Sequence, residues 1–134
     1  MSARKVKEQP AQYKAEPKAP FDIKERTFLF SVRVVKLVGR VPRNVAGLEI
    51  GRQLIRAGTS VGANVEEAQS GESKRDFVHK MGIAVKEARE SRYWLRIVKA
   101  TLLQDVEVDA LVQEGDELVR IIATIINKSK RTLG

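Results

Sequence analysis

The chain has 134 residues, which is enough for one domain and too few for two of ordinary size. It has no cysteine, which excludes disulfides, thiolate zinc sites and a cysteine nucleophile, and its aromatic content of 5% favours helices over a β-sandwich. Its 25 Lys and Arg residues against 17 Asp and Glu give a net charge of +8, which is typical of a protein with an anionic partner or of a soluble basic protein.

The first 20 residues differ in composition from the rest of the chain. They hold three of the four prolines, five basic and two acidic residues, and no periodic apolar face. We predict that residues 1–20 form a disordered basic tail, which either keeps the protein in solution or follows phosphate groups as a basic arm. No apolar run has the length of a membrane span and the N-terminus lacks the apolar stretch of a secretory signal, so we expect a cytoplasmic protein.

Helical periodicity starts at Asp22, which is placed to cap a first helix, and ends at Gly39, before the break that Pro42 enforces. Asn44 is placed to cap a second helix, which is predicted to end at Ser70–Gly71. The predicted core positions are Ile23, Thr27, Phe30, Val34, Leu37 and Val38 in the first helix and Ile50, Leu54, Ala57, Val61, Val65 and Ala68 in the second.

A capping box at Ser73–Asp76 opens a third helix that is predicted to reach about Leu103. Gln104–Asp105 form the last turn, and the fourth helix frays through residues 128–131. The predicted core positions are Phe77, Met81, Ala84, Ala88, Leu95 and Leu102 in the third helix and Leu111, Leu118, Ile121, Ile122 and Ile125 in the fourth. No segment alternates with period two. The sequence therefore predicts an all-α fold, an up-down-up-down antiparallel four-helix bundle over residues 21–130.

The basic excess is concentrated on the tail and on the first and third helices. Within each helix it forms a stripe about 80° wide. The stripes consist of Arg26, Arg33, Lys36 and Arg40 on the first helix and of Arg89, Arg92, Arg96 and Lys99 on the third. Such stripes can follow a phosphate backbone, or their long side chains can flank the core with only the charged heads in water.

The third helix also carries apolar residues on a second side, at Ile83, Trp94 and Ile97. A helix that is apolar on two sides must bury both, and a monomeric bundle has no second layer to cover this one. We therefore predict a subunit interface at these residues, although a single exposed Trp can also pack under a loop.

Candidate catalytic groups are sparse. The second helix carries a polar row, Gln53, Ser60, Asn64 and Glu67, which invites a catalytic interpretation but is more typical of side chains that satisfy one another between packed helices. The single histidine, His79, shares a helix face with Arg75, yet nothing else assembles around the pair, and we interpret it as a solvent-side residue. The Glu-x-x-His pairs of carboxylate metal bundles and the glycine-rich phosphate loops are missing. We predict no enzyme, no cofactor and no metal.

A set of short segments in the second and third helices matches the pattern of a known family. The segments are Gln53–Ala57, Thr59–Val65, Glu67–Ala68, Ser73–Lys74, Asp76–Phe77, Ile83–Ala84, Lys86–Glu90 and Tyr93–Leu95. Through them the chain resembles the four-helix-bundle family of 23S rRNA intervening-sequence proteins. The resemblance covers about residues 21–128 and is sharpest in the second and third helices.

The resemblance implies a bacterial four-helix bundle that assembles as a ring-like homopentamer. It also implies similarity to the accessory variability determinant of diversity-generating retroelements, a basic pentameric barrel that binds nucleic acid and its reverse transcriptase. The family's polar positions fall on Asn64, Glu67 and Glu90, which are carried over as structural, and no catalytic residues come with them. We therefore expect a homopentamer that binds RNA or DNA through phosphates; the alternative is an oligomeric scaffold for a protein partner.

Overall fold

A computed structural model of the protein describes residues 22–133. This part of the chain forms four helices and no strand, which confirms the predicted all-α fold. The predicted tail, residues 1–20, lies outside the described residues. The helices are α1 (Ile23–Val38), α2 (Val45–Gln69), α3 (Lys74–Thr101) and α4 (Val106–Leu133).

Each helix begins at a side chain that accepts a hydrogen bond from the first turn. Asp22 accepts from the Lys24 amide, and Asn44 and Ser73 accept from amides three residues further on, at 2.8–3.0 Å. Asp105, which the sequence places in the connection between the third and fourth helices, is also the cap of α4. Its Oδ1 accepts hydrogen bonds from the amides of residues 107 and 108 at 3.1 Å. Caps of this kind stabilise a helix by about 1 kcal/mol each, so the four helix starts are fixed locally.

Consecutive helices pack side by side, α1 on α2, α2 on α3 and α3 on α4, and α4 returns to make fewer contacts with α1. Cross-helix pairs run in opposite directions along neighbouring helices, since Arg26 meets Glu114 while Arg33 meets Glu107. The four helices therefore form the up-down-up-down antiparallel arrangement that the short connections favoured.

The core is one apolar cluster to which all four helices contribute. Its largest fully buried side chains include Phe30, Leu54, Met81, Leu95 and Leu118. The predicted core positions that are only partly buried are Ile23, Val38, Ile50, Phe77, Leu102, Ile121 and Ile125. The buried hydroxyls of α1 and α3 donate to backbone carbonyls one turn earlier at 2.7–2.8 Å, so no unpaired polar group weakens the core there.

Glycines on one side of α2 allow α1 to approach it closely. Gly47, Gly51, Gly58 and Gly62 are spaced at four, seven and four residues, which places them on one helix face. A Cβ at Gly58 would lie 2.9 Å from a methyl of Val34, and one at Gly47 would collide with the backbone of the preceding loop. The role of these glycines in the fold is to permit close contact with α1 and the loop that follows it.

Candidate nucleic-acid interface

The basic stripe of α1 faces α4 and is largely ion-paired. The Arg26 guanidinium binds Glu114 through two hydrogen bonds, Nε–Oε2 at 2.7 Å and Nη2–Oε1 at 2.8 Å. Arg33 binds Glu107 in the same two-point manner at 2.9 and 3.1 Å. These bonds raise the pKa of both arginines above their ordinary value. These arginines link α1 to α4, and each already has a carboxylate partner in the absence of a phosphate ligand.

Of the other two residues of this stripe, one is ion-paired and one is not. Arg40 pairs with Asp105, the residue that caps α4. Lys36 is exposed and makes no ion pair within residues 22–133. Arg26 and Arg33 on α1, and Arg40 in the turn that follows it, therefore form ion pairs with α4 or its cap, and their contact with nucleic acid stays a prediction.

The basic stripe of α3 is half paired. Arg92 Nη1 lies 2.8 Å from Asp116 and Lys99 Nζ lies 2.8 Å from Asp109, both on α4. Arg89 and Arg96 are exposed, and in the part of the chain that the structure describes neither forms an ion pair. The eight predicted residues do not form one continuous basic surface, because the acids of α4 lie between the two stripes.

An outer stripe remains on α3, on the side that faces away from the core. Its members are spaced at four, seven, three, four and three residues, which places them within an arc of about 100°. All are exposed, and none has an ion pair among residues 22–133. The acids of α3 lie outside this arc. The α3 outer stripe consists of Arg75, His79, Lys86, Arg89, Tyr93 and Arg96.

A polar network beside this stripe joins α2 to α3. Glu90 Oε2 accepts from the Trp94 indole Nε1 at 3.0 Å and also from the guanidinium of Arg56, which reaches Glu87 at 3.3 Å. The indole bond and then the arginine lower the pKa of Glu90. The Tyr93 ring meets the Trp94 ring edge to face, with centroids 5.3 Å apart. Glu90, which was predicted to be structural, thus links α3 to α2 through Arg56 and holds the Trp94 indole.

The predicted interface residues Ile83, Trp94 and Ile97 are all half-buried within a single chain. Trp94 packs against the core cluster, and its indole N–H is already bonded to Glu90. Trp94 is therefore partly covered within one chain, and the subunit interface at these residues stays a prediction.

An apolar surface that is more exposed than Ile83, Trp94 and Ile97 lies on α1, and it was not predicted from the sequence. Phe28, Leu29 and Val35 are 58%, 43% and 47% exposed, and the half-buried Val32 lies between them on the side opposite the core. The signal was present in the sequence, because Phe28, Val32 and Val35 recur at helical spacing on the side away from Phe30 and Val34, and an apolar face of that kind is normally covered. We call these four residues the α1 outer apolar face.

The polar row of α2 does not assemble into a site. Asn64 Nδ2 donates to the carbonyl of Ser60 at 2.9 Å, and the Glu67 carboxylate lies 3.6 Å from Lys80 Nζ. The Gln53 side chain and the Ser60 hydroxyl make no side-chain hydrogen bond within the described residues.

His79 is exposed, as expected. Within residues 22–133, no three His, Asp or Glu side chains are grouped as a metal ion would need. None of the described helices combines the length and the hydropathy that a membrane crossing requires.

Comparison with known proteins agrees with this architecture. Residues 20–124 match the family model described as 23S rRNA-intervening sequence protein. A crystal structure of a protein of unknown function from the S23 ribosomal protein family of Bacteroides thetaiotaomicron superposes with a TM-score of 0.72 at 31% sequence identity. The match covers 78% of this chain and 97% of that one. No curated protein matches the chain.

Proposed function

The chain belongs to the family of 23S rRNA-intervening sequence proteins, and we propose that it is a cytoplasmic, non-enzymatic homopentamer that binds RNA or DNA through phosphate contacts. The observation that carries this proposal is the α3 outer stripe, in which four exposed Lys and Arg side chains have no ion pair among the described residues. Free cations in a row bind a polyanion by releasing its counterions, whatever the base sequence.

The stripe is long enough for several phosphates. Arg75 and Arg96 are 21 residues apart, which corresponds to about 32 Å along the helix. Lys86 and Arg89 lie between them on the same side. Arg92 and Lys99 are held by α4, so they add to the local positive potential less than their number suggests. Arg89 and Arg96 are therefore the members of the predicted α3 set that we retain as phosphate contacts.

Assembly is supported by the α1 outer apolar face. An exposed phenylalanine with three aliphatic neighbours on one helix is typical of a surface that another chain covers. The face supports association of subunits; the number five comes from the family resemblance. A ring would repeat the α3 outer stripe in each subunit and so multiply weak phosphate contacts.

The binding proposal is tested by fluorescence anisotropy with a labelled RNA and its DNA equivalent across a salt series. The affinity should fall steeply with salt, with a slope of about −0.7 per phosphate contact for a single strand. Reversing Arg89 and Arg96 to Glu together should reduce the affinity at least tenfold. Reversing Arg52 and Arg120 to Glu changes the net charge equally, at exposed positions on other helices, and is the matched control.

Two results would contradict this assignment. If wild-type protein does not bind even at low salt, the positive charge serves solubility and the proposal fails. If both double variants lose affinity equally, net charge and not the α3 outer stripe determines binding.

Assembly is tested by light scattering. A pentamer of this 15.0 kDa chain would have a mass of about 75 kDa. Phe28→Glu should shift the protein to smaller species, because it places a charge inside the proposed contact. Val45→Glu makes a similar change at an 86% exposed residue in the first turn of α2 and should leave the mass unchanged. A Phe28→Glu variant of full mass would exclude the α1 outer apolar face as the contact.

A second candidate function is a protein-interaction scaffold without nucleic-acid binding. The pairing of α4 acids with α1 and α3 favours it, because that pairing leaves fewer free cations than the sequence suggests. The α1 outer apolar face would then dock a partner polypeptide. An oligomer that binds no nucleic acid at low salt, and whose mass is unaffected by Phe28→Glu, would favour the scaffold.

A further inference from the structure

One aromatic side chain lies within the α3 outer stripe. Tyr93 is 54% exposed, follows Arg89 by one turn and precedes Arg96 by three residues, and both arginines are exposed without an ion pair among residues 22–133. Tyr93 thus lies between the last two free arginines of the stripe.

The ring of Tyr93 has a fixed neighbour. It meets the Trp94 ring at 71°, with the centroids 5.3 Å apart. The indole in turn packs against the core and is bonded to Glu90 at 3.0 Å. Because its neighbour cannot move freely, the tyrosine ring is positioned before a ligand binds, which lowers the entropy cost of stacking a base on it.

The spacing of the two arginines suits a single strand. Seven residues separate them, which is about 10.5 Å along the helix. Successive phosphates of one strand rise about 3.4 Å along the axis of a stacked helix and are further apart through space, so the two guanidinium groups reach phosphates about two nucleotides apart. An intervening base then lies level with the Tyr93 ring. In a duplex the base faces are covered by stacking and cannot reach that ring.

We infer that the ligand of this surface is single-stranded nucleic acid, with phosphates on Arg89 and Arg96 and one base stacked on Tyr93. The inference rests on the proposed function, and it adds the strandedness of the ligand and the residue that selects it. Since every base has a flat aromatic face, the preference for single strands should carry little base specificity.

The test compares a fluorescein-labelled 12-nucleotide single strand with the 12-base-pair duplex of the same sequence, at one salt concentration. Wild-type protein should bind the single strand more tightly. Tyr93→Leu should weaken single-strand binding between about fivefold and a hundredfold, the range of one base–aromatic stack, and leave duplex binding unchanged. Tyr93→Phe keeps the ring and should retain the preference.

Two further measurements separate stacking from charge. Tyr93→Leu should leave the salt slope unchanged, whereas Arg96→Ala should weaken binding to both ligands and reduce the single-strand slope by about 0.7. Binding of the single strand should also quench the emission of Trp94, the chain's one tryptophan, which lies next to Tyr93.

The possible failures can be told apart. If neither ligand binds, the proposed function fails and this inference fails with it. If Arg96→Ala weakens binding but Tyr93→Leu does not, or if the duplex binds as tightly as the single strand, phosphate binding stands and stacking is excluded. If Tyr93→Leu lowers the mass in light scattering, the ring belongs to a subunit contact and the inference is overturned.

Discussion

Replacing Arg26 with methionine should destabilise the bundle more than the same change at any other basic residue that faces α4. The Arg26 and Glu114 side chains are only 18% and 17% exposed, and a second acid, Glu117, lies 3.7 Å from the same guanidinium. Methionine fills a similar volume, so the change removes the charge and its two hydrogen bonds while most of the packing remains. The Glu114 carboxylate is then left without its partner in a poorly hydrated position.

The size of the effect follows from that exposure. Exposed ion pairs contribute about 0–1 kcal/mol, and removal of one partner of a fully buried pair costs about 3–5 kcal/mol. A pair that is about four-fifths covered should lie between these limits, and we expect a loss of about 2 kcal/mol. For a domain of this size the melting temperature should fall by about 8 °C. The Arg26→Met/Glu114→Met double variant should recover most of the loss, since no unpaired charge is then buried.

Urea unfolding measures these differences in the free energy of unfolding. All variants are compared at one protein concentration, because the apparent stability of an associating protein depends on its concentration. Arg33 and Glu107 are 37% and 36% exposed, and Lys99 and Asp109 are 57% and 56% exposed. Methionine at Arg33 and at Lys99 should therefore cost progressively less than at Arg26. Equal losses at all three positions would show that solvent screens the three pairs alike, and the argument from burial would fail.

For four further changes, the structure determines the direction of the expected effect. Gly58→Ala should destabilise the bundle by about 1–3 kcal/mol through overpacking against α1, whereas Gly82→Ala, where a Cβ meets nothing within 4 Å, should stabilise it by about 0.5–1 kcal/mol in the same urea assay. The hydrogen bonds from the backbone of α4 and the ion pair to α1 lower the pKa of Asp105 in the folded state. The stability that this carboxylate contributes is therefore fully present above its ordinary pKa of 3.8 and is lost as pH falls through the lower folded-state pKa. Asp105→Asn keeps a capping side chain and should make unfolding less sensitive to pH below about 4. Exchanging the charges of Arg33 and Glu107 keeps the net charge, so the exchanged protein should fold and bind nucleic acid like wild type; a loss of affinity in anisotropy would return α1 to the binding surface.

The helix starts could be predicted from the sequence because each depends on a residue and its own first turn. Asp22, Asn44 and Ser73 were identified as caps from their spacing, and the structure shows each of them accepting the expected amide bond. The close approach of α1 to α2 could not be predicted in the same way, because it depends on which face of α2 meets Val34. Only the packed helices show that Gly58 is the residue that this methyl contacts.

The basic stripes show the same limit more sharply. The positions of Arg26 and Arg33 on one helix face follow from the sequence, but their partners Glu114 and Glu107 are more than 70 residues away. Which acid meets which arginine is decided by the antiparallel register of α1 and α4, which short-range patterns do not contain. In the bundle, Arg26 and Arg33 form an ion-paired seam with α4, which the sequence of one helix does not reveal.

The ion pairs of α4 determine where on the surface the net charge of +8 is left unpaired. All six acids between residues 105 and 134 are paired with a Lys or Arg side chain of α1, of the turn that follows α1, of α3 or of α4 itself. Positive charge is thus neutralised where α4 faces its neighbours and left uncompensated where α3 faces outward. A polyanion responds to the local potential more than to the total charge, so under the proposed function this charge pattern would direct it to the side of α3 that carries Arg89, Tyr93 and Arg96.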